Sequence, residues 1–192
     1  MKHQAIKTIT LAGLLCAIGI VIPMFSPLKI VMEPASFTLA SHVAIFIAMF
    51  ISPTVAVSVA LGTTAGFFLG GFPIVIVVRA LSHVIFALAG SLLIKKMPRL
   101  LDSLSKTIIF SFVIALIHGI SEVLVVAPFY ITNSTNLSKG YYAHGFLFSV
   151  LLMVGVGTLI HSMVDFFIAY AIWKPIKKMS GPKVKIPEGS VT

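Results

Sequence analysis

The sequence predicts an all-α integral membrane protein, a bundle of six transmembrane helices with both termini cytoplasmic. Three observations carry that reading. The 192 residues are 58% hydrophobic and 10% charged, with a mean hydropathy of +1.10, whereas soluble domains are about 45–50% apolar and about 25% charged. Long apolar runs recur along nearly the whole chain. Once those runs are taken as spans, the basic residues sort to one side.

A membrane helix needs about 20 residues, so this length admits roughly six spans and no separate soluble domain. The runs fall at 8–25, 39–52, 54–70, 73–94, 107–131 and 146–173, with Pro53 dividing the short second run from the third. Residues 1–176 are read as the membrane domain and 177–192 as a polar, proline-broken cytoplasmic tail. Six spans put Lys2, Lys7, Lys95, Lys96, Arg99, Lys106, Lys174, Lys177, Lys178, Lys183 and Lys185 on the N-terminal side, and only Lys29 and Lys139 on the other. That asymmetry places both termini inside, in a multi-pass protein of the cell membrane. The net charge of +9 is then a topology signal facing anionic headgroups, and no nucleic-acid partner is expected. The single cysteine excludes an internal disulfide and any Cys-based zinc cluster.

The outer connections carry the unusual composition. Residues 26–38 (SPLKIVMEPASFT) read as a short structured hairpin or lid, with Lys29 and Glu33 among its polar groups. Residues 132–145 offer Asn133, Asn136, Tyr141, Tyr142 and His144. Aromatics beside amides suit a small polar ligand; an aromatic belt at headgroup level is the alternative for the tyrosines.

Ionisable groups inside spans are costly and mark function. Arg79 and His83, His118 and Glu122, and His161 and Asp165 are each spaced i, i+4, so each pair shares one helix face. At 1.5 Å per residue, Arg79 lies about 10 Å and Glu122 about 13 Å below the outer ends of consecutive antiparallel helices. They therefore meet as a buried ion pair, present a guanidinium to a carboxylate ligand, or do both. The same count puts Asp165 about 30 Å down, at the cytoplasmic boundary where water is available. The histidines read as hydrogen-bonded core residues. No spacing fixes a convergence of metal ligands, so neither metal nor cofactor is expected. Small residues line the first helix at Ala12, Gly13, Cys16 and Ala17, and the third at Gly62, Gly66 and Gly70, which lets helices approach closely.

The small-residue first helix, the stretch PASFTLASHVAIFIAMFISP (34–53) and the stretch ALGTTAGFFLGGFPIVIVVRALSHVIFALAG (60–90) resemble the S components of energy-coupling factor (ECF) vitamin transporters, over nearly the whole chain. The resemblance is to the pantothenate and niacin kind, pantothenate first. It implies capture of a small carboxylated vitamin near the outer face, in a pocket closed by the first, third and fifth connections. It also implies partnership with a membrane scaffold subunit and two ABC-type ATPases, which drive inward release. The absence of a G-x-x-x-x-G-K-[ST] phosphate loop fits a non-enzyme whose energy comes from partners. The expected ligand contacts are Arg79, Lys29, Glu33, Thr38, His42, His83, Glu122, Asn133, Asn136, Tyr141 and His144. Ala12, Gly13, Cys16 and Ala17 are the expected docking face. Two other classes remain open. An intramembrane metalloprotease would use the His, Glu and Asp of helices five and six, but no Glu-Glu dipeptide accompanies them. A self-sufficient carrier or channel would be favoured by an inverted repeat, and none is visible.

Overall fold

Apolar runs broken by Pro, Gly and Ser yield helices that begin and end near those residues. The computed structural model describes residues 2–32, 35–134 and 139–179. Helix α1 (Lys2–Phe25) leads into a two-stranded antiparallel ribbon, β1 (Lys29–Met32) and β2 (Ala35–Thr38). Then come α2 (Val43–Ile51), α3 (Pro53–Leu69), α4 (Ile74–Lys96), α5 (Leu104–Ile131) and the single turn α6 (Gly140–Ala143). A π-helical segment, Leu147–Val156, runs directly into α7 (Gly157–Met179). Thr8–Phe25, Ile74–Lys96, Leu104–Ile131 and Leu147–Lys178 are long and apolar enough to cross a membrane, while α3 is a shorter apolar helix. The fold is mostly helical, as expected. The ribbon is a correction to the all-α reading, and it is the hairpin expected of residues 26–38. α7 continues to Met179, past the expected domain boundary at 176.

Ser52 explains how α2 and α3 share one joint. It closes α2, and its hydroxyl accepts the Val55 N–H at 3.2 Å as the cap of α3. Pro53 at the first helical position lacks the N–H that α2 would need to continue. The nine-residue α2 is only half a span long. It is encased by the other helices, with Phe46, Ala48 and Met49 essentially inaccessible, and Phe86, Ile114 and Phe166 complete the core around it.

Small residues set how closely helices approach. A Cβ at Gly62 would strike Cys16 and one at Gly66 would strike Ile20, so the glycines of α3 receive the side chains of α1. Ala12 and Cys16 are accordingly half-buried against the core, while Gly13 and Ala17 face outward. α5 meets the π segment backbone to backbone, since a Cβ on Gly119 would stand 2.9 Å from the Gly155 carbonyl oxygen.

Backbone cannot retreat as a side chain can, so Gly119→Ala should destabilise by about 1–3 kcal/mol through overpacking. In detergent this reads as a melting temperature several degrees lower. Gly13→Ala, whose new methyl meets nothing within 4 Å, should leave the melting temperature unchanged or higher. Equal effects of the two substitutions would contradict the packing described.

Candidate functional site

Two buried carboxylates organise the polar interior. Glu122 of α5 accepts from Arg79 Nη2 of α4 at 2.8 Å and from Thr158 of α7 at 2.5 Å, and lies 3.2 Å from His83 Nε2. His118, one turn away on α5, brings Nε2 to 3.5 Å from the same carboxylate. The Glu122 side chain is 3% exposed. A charge this dry requires a counter-charge and donors for its remaining lone pairs, and three helices supply them.

Asp165 of α7 plays a different part. Its carboxylate accepts the backbone N–H of Ala40 at 2.8 Å and of His42 at 2.9 Å, with His42 Nδ1 at 3.1 Å. His42 is the N-cap residue of α2 but makes no side-chain cap bond. Asp165 thus supplies, from another helix, the acceptor that the helix start lacks. It also pins Ala40, whose φ of 68° lies in the left-handed region that alanine avoids. The expectation that Asp165 sits in water at the cytoplasmic boundary is therefore corrected, because the residue is fully buried. The π segment and α7 together make a helix roughly 45 Å long, longer than the ~30 Å apolar core of a bilayer. A count from its outer end therefore does not fix where a residue lies in the bilayer.

Between these carboxylates and the ribbon lies a cavity of about 90 Å³. Arg79, His83, Glu122, His42, Thr38 and Lys29 line it, as do Ser41, Thr63, Thr158 and His161, with Phe37, Phe67 and Phe72 as aromatic walls. The ribbon covers one side. Lys29 pairs with Thr38 in register, and Phe37 packs on the His161 ring at 5.4 Å, over Gly157, which leaves room for it. The Phe67 and Phe72 rings stack at 4.7 Å. Arg79 is only partly used: Nη2 is held by Glu122 and Tyr141 is a further hydrogen-bond partner, yet Nε is buried with none.

The chain is 38% identical over 177 residues, 92% of its length, to the "Niacin transporter NiaX" of Lactococcus lactis subsp. cremoris, of which it covers 78%. It belongs to the S components of ECF vitamin transporters. No family model and no solved structure matches the chain.

In this S component, six of the expected ligand contacts converge on one cavity: Arg79, Lys29, Thr38, His42, His83 and Glu122. Tyr141 joins them through Arg79. Asn133 and His144 do not line it. Asn133 is exposed in the turn that ends α5, and the exposed His144 packs its ring on Phe148 at 5.1 Å. Glu33 and Asn136 lie outside the described residues. Tyr142 proves structural, donating to the carbonyls of Phe129 and Ser134. Of the expected docking residues, Gly13 and Ala17 are exposed, whereas Ala12 and Cys16 are taken up by packing inside the bundle.

His161 and Thr158 were not among the expected contacts. Their signal was present in the sequence: Thr158, His161, Ser162 and Asp165 stand at i, i+3, i+4 and i+7, a polar stripe along one face of an apolar helix. Ser41 and the walls Phe37, Phe67 and Phe72 carried no such mark.

Removing one partner of a buried ion pair strands the other. Glu122→Gln should therefore cost about 3–5 kcal/mol, seen as a large fall in melting temperature. The double variant Arg79→Gln/Glu122→Gln should recover much of that loss. Single-variant effects that simply add in the double would show the two groups to be uncoupled.

Proposed function

We propose that this chain captures niacin in the cavity beside Arg79 and passes it inward as the substrate subunit of an ATP-driven ECF importer. The observation that carries the reading is the buried Nε of Arg79, which lacks a partner on the wall of a small aromatic cavity. A guanidinium binds a carboxylate through a fork of parallel N–H groups, and Nε is one tine that the protein leaves unpaired. Glu122 then holds the guanidinium in orientation and balances its charge, while Lys29 on the ribbon adds a cation from above. Thr38, His42 and His83 complete the polar lining, with Ser41, Thr158 and His161.

Size and shape favour niacin over pantothenate, the vitamin that the sequence placed first. An engineered cavity of about 150 Å³ holds one benzene ring, and this one is smaller, at about 90 Å³. A single pyridine ring with its carboxylate therefore needs the ribbon to yield a little, and a longer acid needs it to yield far more. Pantothenate is a longer, branched and flexible acid without a ring for Phe37, Phe67 and Phe72 to flank. The name of the Lactococcus relative points the same way.

In this reading the chain crosses the membrane six times, with both termini cytoplasmic and the cavity opening outward beneath the ribbon. α2, half a span long, works with α3 as part of that layout. A scaffold subunit and two ABC-type ATPases supply the energy, and the exposed Gly13 and Ala17 on α1 offer the scaffold a close approach.

Binding to the purified protein tests this. Nicotinate should bind, while nicotinamide, which lacks the charge, and pantothenate should bind at least about a hundredfold more weakly, the span of a lost charge-assisted contact. Arg79→Lys keeps the charge without the fork and should lose most of the affinity. Equal affinity for nicotinate and nicotinamide, or full affinity in Arg79→Lys, would overturn the assignment.

A further inference from the structure

The inner wall of the cavity holds more imidazole than a carboxylate ligand requires. His42 before α2, His83 of α4 and His118 of α5 pack edge to face, with ring centroids 4.8, 4.8 and 4.7 Å apart. One nitrogen of each ring is anchored. His42 Nδ1 is held by Asp165 at 3.1 Å, His83 Nε2 by Glu122 at 3.2 Å, and His118 Nδ1 by Ser162 at 3.1 Å. The opposite nitrogens of two of the rings, His83 Nδ1 and His118 Nε2, are buried with no hydrogen-bond partner. His118 Nε2 lies 3.5 Å from the Glu122 carboxylate and interacts with it only at long range for a hydrogen bond. An unsatisfied buried polar atom costs about 1–3 kcal/mol, so two on the rings of one cluster require a reason.

We propose that His42, His83 and His118 hold a divalent transition-metal ion, zinc being the best fit to an all-imidazole set. One ligand nitrogen from each of the three residues lies within 4.8 Å of the others. Tetrahedral zinc, with Zn–N of about 2.0–2.1 Å, spaces its ligand nitrogens about 3.4 Å apart, so ring rotations that close roughly an ångström complete the site. The anchored nitrogens reproduce the outer shell that metal-ligating histidines almost always have, each bonded through its other nitrogen to a carboxylate or similar group. The other candidate set, His42, His161 and Asp165, contains no nitrogen that is both buried and unpartnered, and its carboxylate is already spent on the cap of α2. The favoured set draws on the turn before α2, on α4 and on α5, so it is not the set of the protease alternative. His42 and His83 line the cavity and His118 lies behind them, which directs the open fourth position toward the cavity. If niacin is the ligand there, its carboxylate or ring nitrogen can complete the coordination, and that clause alone rests on the proposed function.

The test is metal binding by the full chain in detergent, stripped with a chelator and titrated with Co²⁺. One equivalent should bind and give the intense visible absorption of tetrahedral Co²⁺, and Zn²⁺ should displace it. His118→Gln should abolish the signal. Ser162→Ala leaves all three imidazoles in place but frees one, and should weaken binding about 10- to 100-fold. His144→Gln, on the exposed loop, should bind as the parent does. Absence of a stoichiometric site in the parent, or parent-like affinity in both His118→Gln and Ser162→Ala, would overturn the proposal. Nicotinate titration of stripped and loaded protein separates the two readings: Co²⁺ bound as expected with no nicotinate bound in either form would sink the proposed function and leave the metal site standing.

Discussion

The structure depends on the carboxylate of Glu122. It joins α4, α5 and α7 through Arg79, His83 and Thr158, at a depth where an unpaired charge would cost far more than any one of these bonds returns. Apolar helices in a bilayer gain nothing from leaving water, since lipid tails are as apolar as leucine. Helix association is decided by close packing and by polar contacts of this kind. Among the described residues, Glu122 and Asp165 divide the work. The first ties three long helices together, and the second fixes the start of the short α2 against α7.

That division positions the site. Because α2 is only nine residues long, the ribbon and the turn before Val43 descend into the bundle. Asp165 receives the chain there and holds Ala40 in its unusual conformation. His42, Ser41 and Thr38 are thereby brought level with Arg79 and Glu122. A full-length second helix would have lifted these groups to the surface and left the cavity without its polar half. The ribbon closes over the result through Phe37, whose ring takes the space that a side chain at Gly157 would fill.

Much of this was legible in one dimension. Run lengths and the proline and serine boundaries located most helix ends to within about four residues, although α1 begins and α7 ends about six residues beyond the expected runs, and the proline-rich segment 26–38 announced its hairpin. The i, i+4 pairs of Arg79, His118 and His161 indicated which faces turn inward, and equal depth brought Arg79 to Glu122. What failed was the environment of Asp165 on the last helix. Position counted from an end holds only when the helix matches the bilayer, and the run from Leu147 to Met179 exceeds it, so the count gave water to an Asp165 that is buried against the turn before α2. The convergence of His42, His83 and His118 was invisible for another reason: three residues on three elements meet only through tertiary packing, and no spacing records it. Nor could a pattern of small residues say which stripe faces the bundle. The glycines of α3 decide that, by accepting Cys16 and Ile20 and leaving Gly13 and Ala17 outside.

The account turns on Arg79 as the group that meets the ligand's negative charge while Glu122 keeps it in place. A crystal structure of the protein with nicotinate bound tests this most directly. The carboxylate should lie about 2.7–2.9 Å from Arg79 Nε or an adjacent Nη, the range of a charge-assisted bond, with the Arg79–Glu122 contact retained and the ring among Phe37, Phe67 and Phe72. Nicotinate seated elsewhere, or with its carboxylate on Lys29 and Arg79 still bonded only within the protein, would contradict it.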